Sequence, residues 1–356
     1  MHPPTRFALV ALAALGALTQ PRSPAAAAEP KPVAAVVETS LATADRNIRQ
    51  FAFDGDPATY FASDKNPATD DHFTLVFDAP VAVKTVAVTT GKPDGADKLD
   101  AGALEGSEDG KSFAPLATFA DGTARAAADG RKLRAVRVRP GESKHPLVVR
   151  DFTVESDPPV AVFKYPVEVA VASDDPEMLP WVTKAARICE RQYPMICDEL
   201  RSDGFKPRTY ITMTLKNDYR GVAATGGGRI TGSVKFFRDH PDDFGAMVHE
   251  TVHAVQSYRG RGNPGWLVEG VADYIRFFKY EPGKIGRVNP DRWRYDGAYR
   301  QTAAFLNYVA EKYDKDLVRK LNAAMREGKY KDDLWQEMTK KPVKELGEEW
   351  KATLKR

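Results

Sequence analysis

The spacing of hydrophobic positions divides the chain into two regions of different character. Between residues 33 and 156, short runs of β-branched and aromatic residues, such as 73–77 and 85–89, alternate with polar clusters such as 107–110. Regularly spaced short strands separated by turns are typical of a β-sandwich or β-barrel. The pattern therefore predicts that residues 33–156 form an all-β domain.

A proline pair marks the end of this first region. Pro158 and Pro159 follow Asp157 directly, and paired prolines are incompatible with a helix interior or a central strand. We therefore predict a linker at residues 157–164 and a second domain at residues 165–356.

The second region begins with a mixed pattern and then becomes almost wholly helical. From residue 242 onward, apolar residues recur at helical spacing. Strands followed by packed helices predict an α+β domain. Predicted strands cover residues 167–171, 210–215 and 229–237, and predicted helices cover 177–193, 242–258, 265–280, 298–313, 315–327, 331–339 and 343–354.

The first 28 residues have the features of a secretory signal peptide. Arg6 precedes an apolar run at residues 7–18, and small residues follow at 25–28. A charged start, a short apolar core and an Ala-x-Ala site are typical of a cleaved export signal; the alternative is a disordered leader. The run is shorter than the roughly 20 residues that span a bilayer. We therefore expect a secreted or periplasmic protein without a membrane span.

Composition and charge narrow the class of partner. The chain is 42% hydrophobic and carries 52 basic and 49 acidic residues, as in an ordinary soluble globular protein. Nucleic-acid-binding domains concentrate a large positive excess on one face. The near-balance therefore argues against a nucleic-acid partner.

The two cysteines, Cys189 and Cys197, allow two interpretations. Export permits a disulfide, but a straight helix would separate them by roughly 12 Å, too far for a disulfide. Pro194 lies between them and can turn the helix. A disulfide and two buried thiols both remain open.

The strongest chemical motif is His249-Glu250-Thr251-Val252-His253. Residues four apart lie on one face of a helix, so His249 and His253 can point their imidazoles at one ion. Glu250 can then reach a metal-bound water as general base. The alternative is a pair of satisfied core histidines.

A second helix supplies a further carboxylate. Glu269 follows His253 by sixteen residues, and Asp273 lies four residues beyond Glu269. Glu269 can complete a His, His, Glu set with one position left for water, as a catalytic zinc site requires. Asp273 can accept a hydrogen bond from a ligand histidine, and Gly270 should let the two helices approach closely. The alternative is a solvated helix face, but the surrounding residues are apolar nearly all round.

The second domain resembles the basic secretory protein family of plants and bacteria, which is grouped with zinc peptidases on its motif. The resemblance implies a zincin-like, gluzincin-type core with Zn²⁺ on His249, His253 and Glu269. Tyr299 is the favoured catalytic donor to the substrate oxyanion, ahead of Tyr295 and Arg276; a tyrosine packed between helices is the alternative. The resemblance rests on residues 249–253, 264–276, 296–299, 302–306 and 321–326.

Four segments of the first domain carry a second resemblance: residues 52–63, 73–77, 104–113 and 149–155. With these segments the domain resembles discoidin-like (coagulation-factor type C) domains and related carbohydrate-binding modules. The resemblance implies a jelly-roll sandwich that binds a glycan or cell-surface ligand, although a rigid spacer remains an alternative. It also implies Ca²⁺ at Asp56, Thr59 and Glu155; turn-capping residues without a metal are the alternative. The family commonly has Trp at the position of Phe61.

Together these features predict a multidomain, secreted zinc metallopeptidase that acts on a peptide or protein substrate. The alternative is a non-catalytic surface- or glycan-binding protein whose metal site is inactive or structural. A hydrolase of glycans or esters is a third class, because chemistry at a metal water is not specific for peptides.

Overall fold

The computed structural model describes residues 31–258, 262–287 and 289–354. The predicted signal peptide at residues 1–28 lies outside these ranges. The described residues form two hydrophobic cores, one within residues 35–160 and the other within residues 167–350.

The first core lies within antiparallel strands. The strand β3 is central and pairs with β1, β6 and β7, while β4 joins β6 to β5 and β2 pairs with β7. The strands are β1 (Ala35–Thr39), β2 (Phe61–Ala62), β3 (Phe73–Thr90), β4 (Gly102–Ser107), β5 (Ala114–Thr118), β6 (Thr123–Pro140) and β7 (Val148–Asp157), with a 3-10 helix at Arg49–Phe53.

The long strand β3 connects the two layers of this domain. Its pairing with β6 shifts register between Val76 and Val81; the residues before the shift pair with β1 and those after it with β7. Alternate side chains such as Leu75, Val86 and Val88 are fully buried, as expected when one face of each layer covers a core. The predicted all-β sandwich is confirmed.

The second core surrounds a four-stranded sheet and a set of helices. The sheet order is β10-β11-β9-β8, with β10 antiparallel to β11 and the other pairs parallel. The predicted α+β architecture is confirmed. The elements are β8 (Glu168–Ser173), α1 (Leu179–Glu199), β9 (Tyr210–Lys216), β10 (Ala223–Gly226), β11 (Arg229–Ser233), α2 (Val234–Asp239), α3 (Phe244–Gln256), α4 (Gly265–Tyr274), α5 (Tyr299–Lys312), α6 (Leu317–Arg326), α7 (Asp333–Thr339) and α8 (Val343–Leu354).

Two sequence-based expectations about these elements are wrong. The predicted strand at 229–237 ends at Ser233, whose hydroxyl accepts a hydrogen bond from Phe236 N at 3.2 Å and so caps α2. Gly270 does not face α3: a Cβ atom there would lie 2.1 Å from Thr302 Cγ2 on α5. Successive residues are about 100° apart around a helix, so Glu269 and its neighbour Gly270 face different partners.

The helix α1 continues through Pro194, and both cysteines on it are buried and unbonded.

None of the helices in the described residues combines the length and apolar character needed to cross a membrane.

The two cores meet through a compact set of polar contacts. Arg49 of the first domain donates to Glu190 at 2.5 Å and lies 3.5 Å from Glu168, and Gln50 Oε1 accepts from Val167 N at 2.8 Å. The predicted linker also packs on the first core, where Val160 is buried.

Candidate metal centre

The site is built on α3, which is buried along most of its length. Asp243 begins the helix by accepting a hydrogen bond from Ala246 N at 3.1 Å. His249 and His253 follow on one face, toward α4. The helix thus presents both imidazoles to the same point.

Three electron-pair donors converge at this point. His249 Nε2 lies 3.1 Å from His253 Nε2, and Glu269 Oε2 lies 3.2 Å and 3.3 Å from these two nitrogens. Within the described part of the chain, these residues form the only group of three or more His, Cys, Asp or Glu side chains close enough to share an ion. The sequence-predicted ligand set is therefore brought together.

The partners of the other ring nitrogens fix the tautomers. His249 Nδ1 donates to Asp273 Oδ1 at 2.7 Å, and His253 Nδ1 donates to Gln256 Oε1 at 2.7 Å. Gln256 must present its oxygen there, because its amide nitrogen donates to Val268 O at 3.0 Å. In its neutral form, each ring therefore carries its proton on Nδ1. Its unprotonated Nε2 then faces the Nε2 of the other histidine and the carboxylate of Glu269.

This arrangement fits a divalent metal ion. Three lone pairs 3.1–3.3 Å apart repel one another unless a cation or a proton lies between them. Metal–ligand distances of about 2.0–2.1 Å at tetrahedral angles place ligand atoms about 3.3 Å apart. The spacing and the N, N, O donor set both match zinc with one position left open.

Without a metal ion, the same contacts hold a proton. Burial opposes a positive charge on His249, but hydrogen bonds to Asp273 and Glu269 outweigh it and raise its pKa to about 9. Burial also opposes the charge of Glu269, but the two histidines lower the pKa of its carboxyl to about 2. A metal ion must therefore displace a proton from the site.

Glu250 lies beside the three metal ligands, and a residue of the β-sheet holds its carboxylate in place. Its Oε2 accepts a hydrogen bond from Thr225 Oγ1 at 2.7 Å, and Thr225 belongs to the end strand β10. The other carboxylate oxygen stays available to a second partner. The sequence analysis missed Thr225, because only the folded register of β10 places it there.

Of the three candidate oxyanion donors, only Tyr299 is free at the site. Its ring lies 6.1 Å from that of His249, and its side chain is exposed. Partial removal of the hydroxyl from water, together with the negative charges of Glu269, Asp273 and Glu250, raises its pKa. The hydroxyl therefore keeps its proton at neutral pH. Arg276 is bound to Asp243 and Glu281, and Tyr295 packs against Trp266 and Phe305.

Gln256 is a second residue that the sequence analysis missed. It stands three residues after His253 on the same helix, so a search for side chains able to orient that ring would have found it. Gln256 accepts a hydrogen bond from His253 Nδ1 and so orients that ring, as Asp273 orients the ring of His249.

The three residues of the predicted calcium site do not contact one another as one set. Asp56 accepts from Ala58 N at 2.9 Å, which is turn capping, and Thr59 donates to Asp54 at 3.0 Å in the same turn. Glu155 on β7 instead contacts Lys84 and Thr85. Calcium binding here stays a prediction.

An open cavity of about 1280 Å³ lies in front of the metal site. The strand β10 and the following glycines form one wall, and the segment before α5 forms another. The cavity is large enough for several residues of a peptide.

Comparison with known families agrees with the resemblance of the second domain. Residues 177–350 match the family model described as BSP, peptidase of plants and bacteria. The match includes the three predicted metal ligands, and it also includes Glu250, Asp273 and Tyr299. The recognition of a BSP-type peptidase domain is thus confirmed. No match was found among curated proteins.

The N-terminal domain is similar to solved carbohydrate-binding modules. One is CBM32-1 from a family 31 glycoside hydrolase of Clostridium perfringens, with 16% identity, 34% of this chain and 92% of that chain covered, and a TM-score of 0.30. Another is chitosan-binding module 1 of a Paenibacillus sp. IK-5 chitosanase/glucanase, with 18% identity, 34% and 93% covered, and a TM-score of 0.29. A fucose binding module of Streptococcus pneumoniae has 11% identity, 34% and 92% covered, and a TM-score of 0.30.

Proposed function

We propose that the protein is an exported, zinc-dependent metallopeptidase in which His249, His253 and Glu269 hold the ion. The observation that carries the proposal is the convergence of their three lone pairs at 3.1–3.3 Å, with both rings fixed in the tautomer that metal binding needs. The match of this domain to a peptidase family supports a peptide or protein as the substrate. Export is proposed from the features of residues 1–28.

When bound, zinc supplies a Lewis acid and lowers the pKa of a coordinated water toward about 7. Glu250 would accept a proton from the attacking water on the carboxylate oxygen that Thr225 leaves free, as the water oxygen bonds to the carbonyl carbon. It would then pass this proton to the amine that leaves when the C–N bond breaks. Thr225 fixes the direction of that carboxylate through the 2.7 Å hydrogen bond. Tyr299 donates its hydroxyl proton in a hydrogen bond to the carbonyl oxygen as negative charge develops there.

The strand β10 gives an extended substrate a place to pair. In the described part of the sheet it pairs with β11 alone, and it lines the cavity beside Glu250. The neighbouring strand β11 is enclosed by β9 and β10 and has no free edge. The opposite end strand, β8, is covered where Glu190 and Arg187 of α1 bind the N–H and C=O of Val169.

The N-terminal domain is proposed to hold the peptidase at a glycan or another surface ligand. Its contacts through Arg49 and Gln50 fix it directly on the catalytic domain. A domain that serves only as a rigid spacer would make the same contacts. Measuring whether the N-terminal domain binds glycans therefore distinguishes a ligand-binding domain from a spacer.

Hydrolysis of a mixed peptide library by the mature chain tests the proposal. Glu250→Gln keeps the shape of the side chain but removes the base, so we expect zinc content to stay at one per chain while hydrolysis falls about 10²–10⁴-fold. Glu337→Gln, an exposed change on α7, should alter neither. If wild type binds zinc and cuts none of the peptides, the non-catalytic alternative gains and the peptidase proposal fails.

A further inference from the structure

The ionisable residues around the cavity are unevenly distributed. Its carboxylates, Glu250, Glu269 and Asp273, all belong to the metal centre. Among the described lining residues every other charged side chain is an arginine, and none is a lysine. Arg276 is neutralised by Asp243 and Glu281.

The remaining lining arginines, Arg208, Arg287 and Arg300, have no ion-pair partner among the described residues. A bound divalent ion would offset most of the negative charge of the three carboxylates, so that these arginines leave the cavity with net positive charge. A cleft with net positive charge and low-dielectric walls attracts ligands of negative charge.

Arg300 is held in place at the rim of the cavity. Its guanidinium lies 4.9 Å from the centre of the Phe277 ring, and Arg276 lies 4.7 Å from the same ring. Phe277 is only 2% exposed, so the ring is a fixed platform for the arginine. Arg300 also directly follows Tyr299, which stacks on His249.

Arg287 lies on the same rim. A Cβ atom on Gly286 would be 3.6 Å from Arg300 Nη1, so the Arg300 guanidinium reaches the segment that carries Arg287. Both arginines line the cavity and are exposed, and like charges on one rim favour the binding of an anion. The planar guanidinium group binds carboxylates through two parallel hydrogen bonds.

We propose that Arg300, together with Arg287, binds a carboxylate group of the peptide substrate close to the scissile bond. This inference rests on the proposed peptidase function and names the class of its substrate. The carboxylate comes either from an acidic side chain or from the free C-terminus of the peptide. Both sources use the same recognition chemistry, and the experiment below separates them.

The test measures binding and does not depend on turnover. The full mature chain carrying Glu250→Gln is immobilised with and without zinc and exposed to N-terminally blocked peptides whose central residue is Glu, Asp, Gln or Asn, each made with a free and with an amidated C-terminus. We expect peptides that carry the recognised carboxylate to be enriched about tenfold over those in which an amide replaces it, as a charge-assisted contact implies. Enrichment of Glu and Asp over Gln and Asn peptides with amidated C-termini assigns the side chain as the source. Enrichment of free over amidated C-termini, whatever the central residue, assigns the terminal carboxylate.

Matched variants identify the residue responsible. Adding Arg300→Gln should reduce the enrichment to about twofold or less, whereas Arg201→Gln, an exposed arginine outside the cavity, should leave it unchanged. Equal retention of all these peptides, with neither carboxylate favoured over its amide, or enrichment that survives Arg300→Gln, overturns the inference. The same library offered to wild type separates the two claims. Cleavage without preference for either carboxylate refutes the inference alone, and carboxylate-dependent retention without cleavage refutes only the peptidase proposal.

Discussion

At the scale of single residues, the two histidines are oriented by different partners. Asp273 lies on α4 and carries a charge, whereas Gln256 lies on α3 and is neutral. A charged partner makes the ring a stronger base as well as fixing its direction. The two ligands should therefore differ in how their affinity for the ion responds to pH.

Replacing Gln256 should weaken zinc binding. Gln256→Ala frees the His253 ring to rotate and removes its hydrogen-bond acceptor, so we expect zinc affinity to fall about 10–100-fold. The measurement is competition with a chelator of known affinity. Gln336→Ala on α7, where the side chain is exposed, is the control. Unchanged zinc affinity in Gln256→Ala would show that the 2.7 Å contact does not orient the ring.

Zinc affinity should also rise with pH. The pKa of His249 is raised to about 9 in the metal-free protein, so below that pH zinc must release a proton from it. Apparent affinity should then increase about tenfold per pH unit between pH 6 and 8. In Asp273→Asn the pKa of His249 should fall and the dependence should weaken. Equal zinc affinity of wild type at pH 6 and pH 8 would contradict the proton displacement.

At the scale of secondary structure, α4 is positioned by contacts on two sides. Glu269 and Asp273 face α3, while Gly270 meets Thr302 of α5. The close approach at Gly270 therefore determines how far α4 sits from α5, and through this how Glu269 reaches the histidines.

Gly270→Ala should destabilise the protein. The added methyl group would overlap Thr302 Cγ2 at 2.1 Å, and overpacking of this kind costs about 1–3 kcal/mol. Gly265→Ala is a matched control at the start of the same helix, where a Cβ atom would meet nothing within 4 Å. Urea unfolding of both variants gives the comparison. A Gly270→Ala protein as stable as Gly265→Ala would contradict the tight contact between α4 and α5.

The helices were more predictable than the strands that serve the site. His249, His253, Glu269 and Asp273 follow from helical spacing, because a helix fixes which side chains share a face. Thr225 lies 25 residues before Glu250, and its contact depends on the pairing of β10 with β11, which local sequence does not encode. The α2 helix was not predicted, because residues 234–237 are mostly apolar and suit a strand, and only the folded structure shows that Ser233 caps a helix there.

At the scale of the whole molecule, a few buried charges connect the two domains. Arg49, with a side chain 12% exposed, lies between Glu168 and Glu190, which are 8% and 6% exposed. Burial raises the pKa of Glu190, and the charge of Arg49 limits the rise. The domain contact therefore depends on this arginine whenever the carboxyl is ionised. The sequence predicted both domains but not this contact, because its residues are more than 100 positions apart.

Arg49→Met should destabilise the protein in a pH-dependent way. The folded-state pKa of Glu190 is already above that of an exposed glutamate, so its unfavourable contribution is present at high pH and disappears as it binds a proton at low pH. Removing Arg49 enlarges this contribution, and we expect a loss of about 3 kcal/mol at pH 8 that shrinks toward pH 5.

Arg46→Met is the control for this change. Arg46 is exposed, and its guanidinium lies 5.8 Å from the centre of the Tyr210 ring, a weak cation–π contact. Chemical unfolding at both pH values measures the two variants. Equal losses for Arg49→Met at pH 5 and pH 8 would show that the buried carboxyl does not govern the contact.

The coordination of bound zinc tests the central claim most directly. X-ray absorption at the zinc edge of the purified protein should show two imidazole nitrogens and one carboxylate oxygen at about 2.0–2.1 Å, with one further light-atom ligand. In Glu269→Gln, zinc should bind more weakly and the carboxylate contribution should be lost. A sulfur ligand, an octahedral shell of oxygen atoms, or a spectrum unchanged by Glu269→Gln would contradict the assignment of His249, His253 and Glu269.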